Sequence, residues 1–358
     1  MPGPRPHAPL RIAFHSGHLN ERGSDVALWD YAHFGERLLG HQAIIVVPMG
    51  VDLSAASKFT ARFPVYQYGS RDDLDALLRH ERIDVLYAIK YGADDGLVAR
   101  ACRTVVHAAF TLAEPHGTVY AGVSEWLAGE FGQRFPWVPH IVWLPDIAGV
   151  LRAELGIPSG GLVFGRHGGR DQFNLPFARD VVERIVRTTD DVWFVFLNTD
   201  PFCAPHPRIV HLPCTVDLER KARFVATCDA MLHARVQGET FGLAVGEFSL
   251  RNKPVLTWTY GRDRAHLRIL REQCLTYSDA TELEDLLRRF RQLGTDGLRW
   301  DAYVQFDPVH VMRRFSQVFL EERAGLFLGT EAGGKTPAHE PRNEELHPVP
   351  RRHPPAHP

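Results

Sequence analysis

Short apolar segments alternate with segments of helical periodicity along most of the chain, and this alternation limits the possible folds more than any other feature. In the first half, apolar segments of strand length occupy residues 10–14, 42–47 and 83–88. A second series begins at residues 162–165 and continues through residues 192–197. This pattern predicts an α/β protein with open, mostly parallel, doubly wound sheets that are covered by helices on both faces.

The two series divide the chain into two Rossmann-like domains that face each other across a cleft. We predict an N-terminal domain over residues 10–145 and a C-terminal domain over residues 146–306, because 358 residues are enough for two cores. Residues 307–330 are predicted to form a helix that crosses back to the N-terminal domain. The start, residues 1–9, and the tail, residues 331–358, are rich in proline and poor in apolar residues, so both are expected to be disordered.

Composition argues against several classes of partner. The net charge is only −2, so electrostatics favours neither nucleic acid nor an anionic membrane as a partner. No apolar run reaches the length of a transmembrane helix, and the start lacks the apolar stretch of a signal peptide. The five cysteines are scattered without a C-x-x-C pair, which is typical of a reduced, cytoplasmic protein. A dinucleotide fingerprint is also missing, which argues against a dehydrogenase.

Two glutamates eight residues apart, Glu239 and Glu247, lie in an apolar run between strand-like segments at residues 229–234 and 254–258. Ligands of parallel sheets bind beyond the carboxyl ends of the strands, which is where Glu239 is expected. If a helix begins near Glu239, the two carboxylates lie about 12 Å apart along its axis and could bind hydroxyls at two points of one ligand. The alternative is a pair of solvated helix carboxylates. The apolar neighbours of Glu247 favour burial, and a buried carboxylate needs a partner or a ligand.

The run resembles the retaining GT-B glycosyltransferases of family 4. In that family a strand is followed by an E-F-G-type sequence, a second glutamate eight residues after the first, and a G/N-x-P-V strand, as at Glu239, Glu247 and residues 252–255. Gly165-Arg166 resembles the family's G-R turn. The resemblance is best over residues 160–260. It implies a metal-independent enzyme that moves a hexosyl or pentosyl group to a hydroxyl acceptor with retention. The donor is a nucleotide diphosphate sugar of UDP or GDP type, and no cofactor is required.

The resemblance also implies roles for individual residues. Glu239 and His107 would orient the donor sugar, and Arg166 would stabilise the departing diphosphate. Glu247 would hold the ribose hydroxyls. The family usually carries a lysine five residues after the arginine, where this chain has Asp171, so the neighbouring Arg170 is expected to supply that charge. The remaining donor-site candidates are His167, His233, and the backbone at Phe241, Gly242 and Leu243.

The loop after the first strand is a second candidate site, for acceptor or phosphate, because it lies at a strand end. Its candidate residues are His15, Ser16, Gly17, Arg22, Gly23 and Ser24. The alternative is a polar loop with Ser24 as helix N-cap. His107 likewise has a structural alternative, since a lone strand histidine is usually a core residue with satisfied hydrogen bonds.

Residues 90–96 follow another strand and could contact an acceptor. The aspartates there are interpreted as the cap of a helix over residues 94–102, so no metal site is predicted.

Two other functions remain open at this point. One is another GT-B activity, such as a sugar-nucleotide epimerase or a phosphorylase. The other is a non-catalytic nucleotide-sugar-binding or scaffold protein, because the expected lysine is missing. For the transferase, a nucleotide sugar is the expected partner, and the acceptor is a glycan, a lipid-linked molecule or a small molecule.

Overall fold

The fold described here is that of a computed structural model, which covers residues 9–132, 134–295 and 297–321. The segment 331–358, expected to be disordered, lies outside these ranges, as do residues 1–8 of the start and residues 322–330 of the last predicted helix. Within the described ranges, no helix combines the length and the apolar character needed to cross a membrane.

The N-terminal domain has a six-stranded parallel sheet. Its strands are β1 (Arg11–His15), β2 (Gln42–Pro48), β3 (Val65–Tyr68), β4 (Val85–Lys90), β5 (Arg103–Ala108) and β6 (Val119–Gly122). Its helices, which follow β1, β2, β3 and β6, are α1 (Gly23–Leu39), α2 (Ala56–Thr60), α3 (Arg71–His80) and α4 (Glu125–Glu130). The strand order is β3-β2-β1-β4-β5-β6. The order reverses between β1 and β4, so their carboxyl ends form the crevice where such sheets bind ligands.

The C-terminal domain repeats this plan. Its strands are β7 (Leu162–Arg166), β8 (Val192–Leu197), β9 (Ile209–Leu212), β10 (Ala230–His233), β11 (Gly238–Glu239), β12 (Val255–Trp258), β13 (Asp263–Arg264) and β14 (Leu275–Tyr277). Its helices are α5 (Pro176–Thr188), α6 (Leu218–Thr227), α7 (Leu243–Leu250), α8 (Ala265–Leu270) and α9 (Ala280–Arg289), followed by 3₁₀ turns at Phe290–Leu293 and Ala302–Phe306. Six strands pair in parallel in the order β14-β12-β10-β7-β8-β9, while β11 pairs only with β13.

The last described segment returns to the N-terminal domain. Helix α10 (Pro308–Phe315) and the π-helical turn Ser316–Leu320 follow the second domain. The Phe315 ring stacks 5.1 Å from that of Tyr31 on α1 and 6.5 Å from that of Phe14 on β1. Arg103 Nη2 donates a hydrogen bond of 2.7 Å to the carbonyl of Leu320. The aromatic core of the first domain is therefore completed by residues from the far end of the chain.

Three local predictions differ from the structure. Glu239 lies on β11, where it pairs with Arg264, and the helix begins four residues later at Leu243. Gly242, with φ of +91°, turns the chain between the two. The first helix is preceded by Arg22 as N-cap without a side-chain cap, so Ser24 is not the cap. Residues 94–102 form an irregular segment with a few bends rather than a helix.

Candidate functional site

The carboxyl edges of the two sheets enclose a cavity of about 490 Å³. The first domain lines it with the segments after β1, β4 and β5, and the second domain with those after β7, β8 and β10 and the start of α7. The walls come close together at one point, because a Cβ on Gly23 would lie 3.6 Å from Leu243 Cδ1. A cavity of this size between two domains is typical of a small-molecule site.

The structure brings most of the predicted site residues to this cavity. From the second domain its lining includes Arg166, His167, His233, Glu239, Phe241, Gly242, Leu243 and Glu247. From the first domain its lining includes His15, Ser16, Gly17, Arg22, Gly23 and Ser24. Two predicted residues, His107 and Arg170, are not among the lining residues.

Glu239 is held by two side chains, one from the last residue of β10 and one from the loop that follows it. Its Oε2 accepts a hydrogen bond of 2.7 Å from Arg235 Nη1, and its Oε1 lies 3.2 Å from His233 Nε2. Burial alone would raise the pKa of this carboxyl, but Arg235 and His233 outweigh burial and hold the pKa at about 2. Glu239 is therefore an ionised carboxylate at the end of a strand, where it can accept hydrogen bonds from a ligand.

Glu247 lies deeper, on α7, and its side chain is 4% exposed. Its Oε1 lies 2.5 Å from Lys221 Nζ on α6, and its Oε2 lies 2.8 Å from His167 Nε2, directly after β7. Burial again would raise the pKa, while Lys221 and His167 lower it to about 2. Burial also lowers the pKa of His167. The second glutamate is thus a buried, ionised and paired group rather than a solvated helix carboxylate.

Arg166 is a buried cation without a carboxylate in salt-bridge distance among the described residues. Its Nη1 donates to Thr199 Oγ1 at 2.5 Å and its Nη2 to the Gly169 carbonyl at 2.8 Å. Burial lowers its pKa to about 10, so the guanidinium stays charged at neutral pH. A cation that is fixed by neutral oxygens keeps its charge available for an anionic ligand.

The loop after β1 is organised around Asp25, a residue that sequence reasoning did not select. Asp25 is 1% exposed and accepts hydrogen bonds from Ser16 Oγ and the Asn20 amide, both at 2.7 Å. His18 Nδ1 lies 2.5 Å from Asp25 Oδ2, and this hydrogen bond raises the pKa of His18. His15 Nε2 lies 2.8 Å from the hydroxyl of Tyr68. In the sequence, the signal that could have pointed to Asp25 was its position as an acidic residue in the first turn of the predicted helix.

His107 lies in the core of the first domain and not at the cavity. It is fully buried, with Nδ1 2.6 Å from the Tyr87 hydroxyl and Nε2 2.8 Å from the Val138 carbonyl. This position contradicts the predicted contact with a donor sugar and fits the alternative of a satisfied core histidine. His140, a histidine that was not predicted, does line the cavity, and its ring lies edge-on to Phe241 at 5.2 Å. It sits in the segment between the domains, where the sequence offered no motif.

Arg170 also differs from its prediction. Its side chain is 67% exposed and its Nε pairs with Asp200 Oδ1 at 3.0 Å, outside the cavity lining. The cations that do line the second-domain wall besides Arg166 are Lys221 and Arg235. Arg235 could have been found from its place after a strand end. Lys221 lies on α6, and no local pattern links that helix to Glu247.

No metal site was predicted, but one group of described residues has the spacing to hold a metal ion. Asp94, Asp95 and His116 each bring one ligand atom within 4.8 Å of the others. Lys90 contacts two of them, since its Nζ pairs with Asp95 Oδ1 and lies 2.9 Å from His116 Nε2. The ammonium group therefore offsets the charge of one of the two carboxylates and occupies the space between Asp95 and His116.

No family model matches the sequence, and no curated protein matches it. The fold matches solved structures over nearly their whole length. HepE of Anabaena in complex with UDP-glucose is 15% identical, with a TM-score of 0.69 over 86% of this chain and 98% of that chain. A glycosyltransferase from Rickettsia africae is 10% identical, with a TM-score of 0.64 over 88% and 100%. A Listeria monocytogenes protein assigned as a UDP-N-acetylglucosamine 2-epimerase is 10% identical, with a TM-score of 0.54 over 86% and 95%. These likenesses confirm the predicted GT-B fold.

Proposed function

We propose that this protein is a glycosyltransferase that moves a sugar from a nucleoside diphosphate sugar to a hydroxyl group. The observation that carries the proposal is the pair Glu239 and Glu247, two ionised carboxylates with cationic partners in one cleft, the first partly buried and the second buried. Ionised carboxylates only accept hydrogen bonds, and the hydroxyls of a sugar and a ribose are the matching donors. Two such groups at different depths of the cleft fit a ligand that carries a hydroxyl-rich ring at each end.

Arg166 is the proposed partner of the diphosphate, the part of the ligand between the two rings. It is a charged, buried guanidinium in the same lining as both glutamates, and it offers charge to the diphosphate that joins the two rings. In the reaction, the acceptor oxygen bonds to the anomeric carbon and the bond from that carbon to the diphosphate breaks. The hydroxyl proton leaves with the diphosphate. Stabilising that departing charge is the main catalytic task of the protein.

The donor proposed first is a UDP sugar. The support is the similarity to HepE, whose structure was solved with UDP-glucose. Retention of the anomeric configuration and independence of metal ions rest on the family resemblance. The configuration of the product anomer, read by proton NMR, tests retention. EDTA is expected to leave turnover unchanged, and activity that is lost in EDTA and restored by magnesium would contradict metal independence.

A second candidate function is epimerisation of the donor sugar, because the GT-B fold also matches the Listeria protein assigned as an epimerase. The two functions differ in what they need. An epimerase converts a nucleotide sugar without an acceptor, whereas a transferase releases the nucleoside diphosphate when an acceptor is added. Chromatography of the nucleotide products with and without acceptor separates them.

The deciding experiment is a thermal-shift panel with UDP, GDP, ADP, CMP and their common sugar conjugates. We expect one nucleoside diphosphate family to stabilise the wild type, and Glu247→Ala to lose that stabilisation. Glu219→Ala removes an exposed carboxylate on α6 outside the lining and is the matched control. No shift with any nucleotide would refute the proposal. Binding without transfer, epimerisation or slow donor hydrolysis would identify a non-catalytic nucleotide-sugar-binding protein instead.

A further inference from the structure

The cavity has a wall in the first domain that the donor assignment does not use. It is formed by the loops after β4 and β5, and its most exposed member is Tyr91, which is 60% exposed. The Tyr91 ring stacks on Phe110 with centroids 5.2 Å apart and planes inclined by 22°. Both residues line the cavity. An exposed ring that is backed by a second ring presents a flat apolar face to whatever occupies this side of the cleft.

An ion pair stands beside this aromatic face. Lys90 Nζ pairs with Asp95 Oδ1, and the two side chains are 10% and 54% exposed. Both residues line the cavity, so the carboxylate is accessible while the ammonium is nearly covered. Burial lowers the pKa of the neighbouring His15 to about 3, so that residue is neutral. The pair offers hydrogen-bond acceptors and donors whose charges compensate each other.

The loop that carries these groups is held in place without a ligand. Gly92 has φ of +127°, and a Cβ at this position would lie 2.0 Å from the Thr111 carbonyl oxygen, so only glycine fits. The Tyr120 hydroxyl lies 2.5 Å from the Gly92 carbonyl and 3.0 Å from that of Thr111. Arg71 Nη2 donates a hydrogen bond of 2.9 Å to the Asp95 carbonyl. A wall that is ordered in advance lowers the entropic cost of binding.

We propose that Tyr91, Phe110 and the Lys90–Asp95 pair form the acceptor subsite, and that the acceptor is a sugar. The inference rests on the proposed transferase function and names its acceptor class. The weakly positive C–H groups of a pyranose ring fit the negative face of Tyr91. Its hydroxyls act as both donors and acceptors and match the compensated pair. An alkyl chain would leave the pair desolvated without hydrogen bonds, which is costly, so this wall disfavours a lipid alcohol.

The test compares acceptors and variants once a donor has been identified by binding. The acceptor probes are the methyl glycosides of glucose, mannose and N-acetylglucosamine, with n-octanol as a hydroxyl compound that is not a sugar. We expect transfer to at least one glycoside and none to octanol. Transfer to octanol and to no glycoside would overturn the inference.

Variants then locate the subsite. Tyr91→Ala is expected to raise the acceptor KM about five- to tenfold, because the stacking face is lost, while Tyr91→Phe keeps it. Asp95→Asn is expected to raise the same KM. Tyr260→Ala is the matched control, since Tyr260 is 62% exposed but lies outside the cavity lining. A Tyr91→Ala variant that behaves like Tyr260→Ala would refute the subsite. The donor Kd is measured in parallel, because absence of donor binding in the wild type would refute the transferase function itself.

Discussion

Replacing Glu247 with glutamine tests whether the deeper carboxylate is ionised and paired. Its pKa of about 2, against an ordinary value of 4.5, corresponds to roughly 3 kcal/mol in favour of the ionised folded form. Glutamine has nearly the same volume but no charge, and it leaves the ammonium of Lys221, whose side chain is 11% exposed, without its carboxylate. Breaking a buried pair from one side costs about 3–5 kcal/mol. We therefore expect Glu247→Gln to lower the free energy of unfolding by about 3 kcal/mol.

The stabilisation by Glu247 is expected to decrease at low pH. Because the folded-state pKa of Glu247 lies below that of the unfolded chain, its stabilisation is complete at neutral pH and is lost as pH falls from about 4.5 towards 2. The difference in unfolding free energy between wild type and Glu247→Gln should thus shrink by about 1 kcal/mol between pH 7 and pH 3.5. Urea titrations followed by tryptophan fluorescence at both pH values measure it.

Two further variants make the result interpretable. Adding Lys221→Met to Glu247→Gln removes the stranded ammonium, so the double variant should recover most of the loss. Asp285→Asn breaks an ion pair with Arg289 in which both side chains are about half exposed, and it should cost less than about 1 kcal/mol. The reasoning is refuted if Glu247→Gln costs no more than Asp285→Asn at pH 7, or if its effect does not change with pH.

Three other predictions concern the remaining groups. Glu239→Gln should lower kcat by about 10²-fold or more with an unchanged far-UV circular dichroism spectrum, and near-normal turnover would exclude its role at the sugar. His107→Asn should lower the melting temperature by several degrees, because both ring nitrogens of His107 are hydrogen-bonded in the core. Turnover per folded molecule should stay normal, and a selective loss of kcat would restore a catalytic role for His107. Gly238→Ala should destabilise the protein more than Gly156→Ala, since both have positive φ but only the first Cβ would collide, 2.0 Å from the Asp263 carbonyl oxygen. Equal melting temperatures for the two variants would contradict that account.

The fold could be predicted because its signals are local. Apolar strands buried on both faces are continuous in the sequence, and the β8 strand has the predicted bounds, residues 192–197. The start of α7 could not be predicted in the same way. Glu239 adopts a strand conformation because it pairs with Arg264, twenty-five residues later. The pattern of apolar residues around Glu239 contains no information about that distant partner.

The site was predictable where chemistry follows a strand end and not where it depends on packing. Arg166 and Glu239, the last residues of β7 and β11, both line the cavity. Glu247 on α7 lines it too, and there the signal was the run of apolar neighbours. His107 also lies in a strand, but its ring faces Tyr87 and the Val138 carbonyl, which the sequence places twenty and thirty-one residues away. Which side of a strand meets the core and which meets the cleft is decided by such distant partners.

The return of α10 to the first domain has a consequence for synthesis on the ribosome. The sheet of that domain is complete at Gly122, but Phe315, which closes its aromatic core against Tyr31, emerges only after the whole second domain. At 5–20 residues per second, the interval between Gly122 and Pro308 is about 10–40 s. During that time an apolar face of the nascent first domain is open to chaperones and to misassociation. The second domain, although made later, can therefore finish folding first.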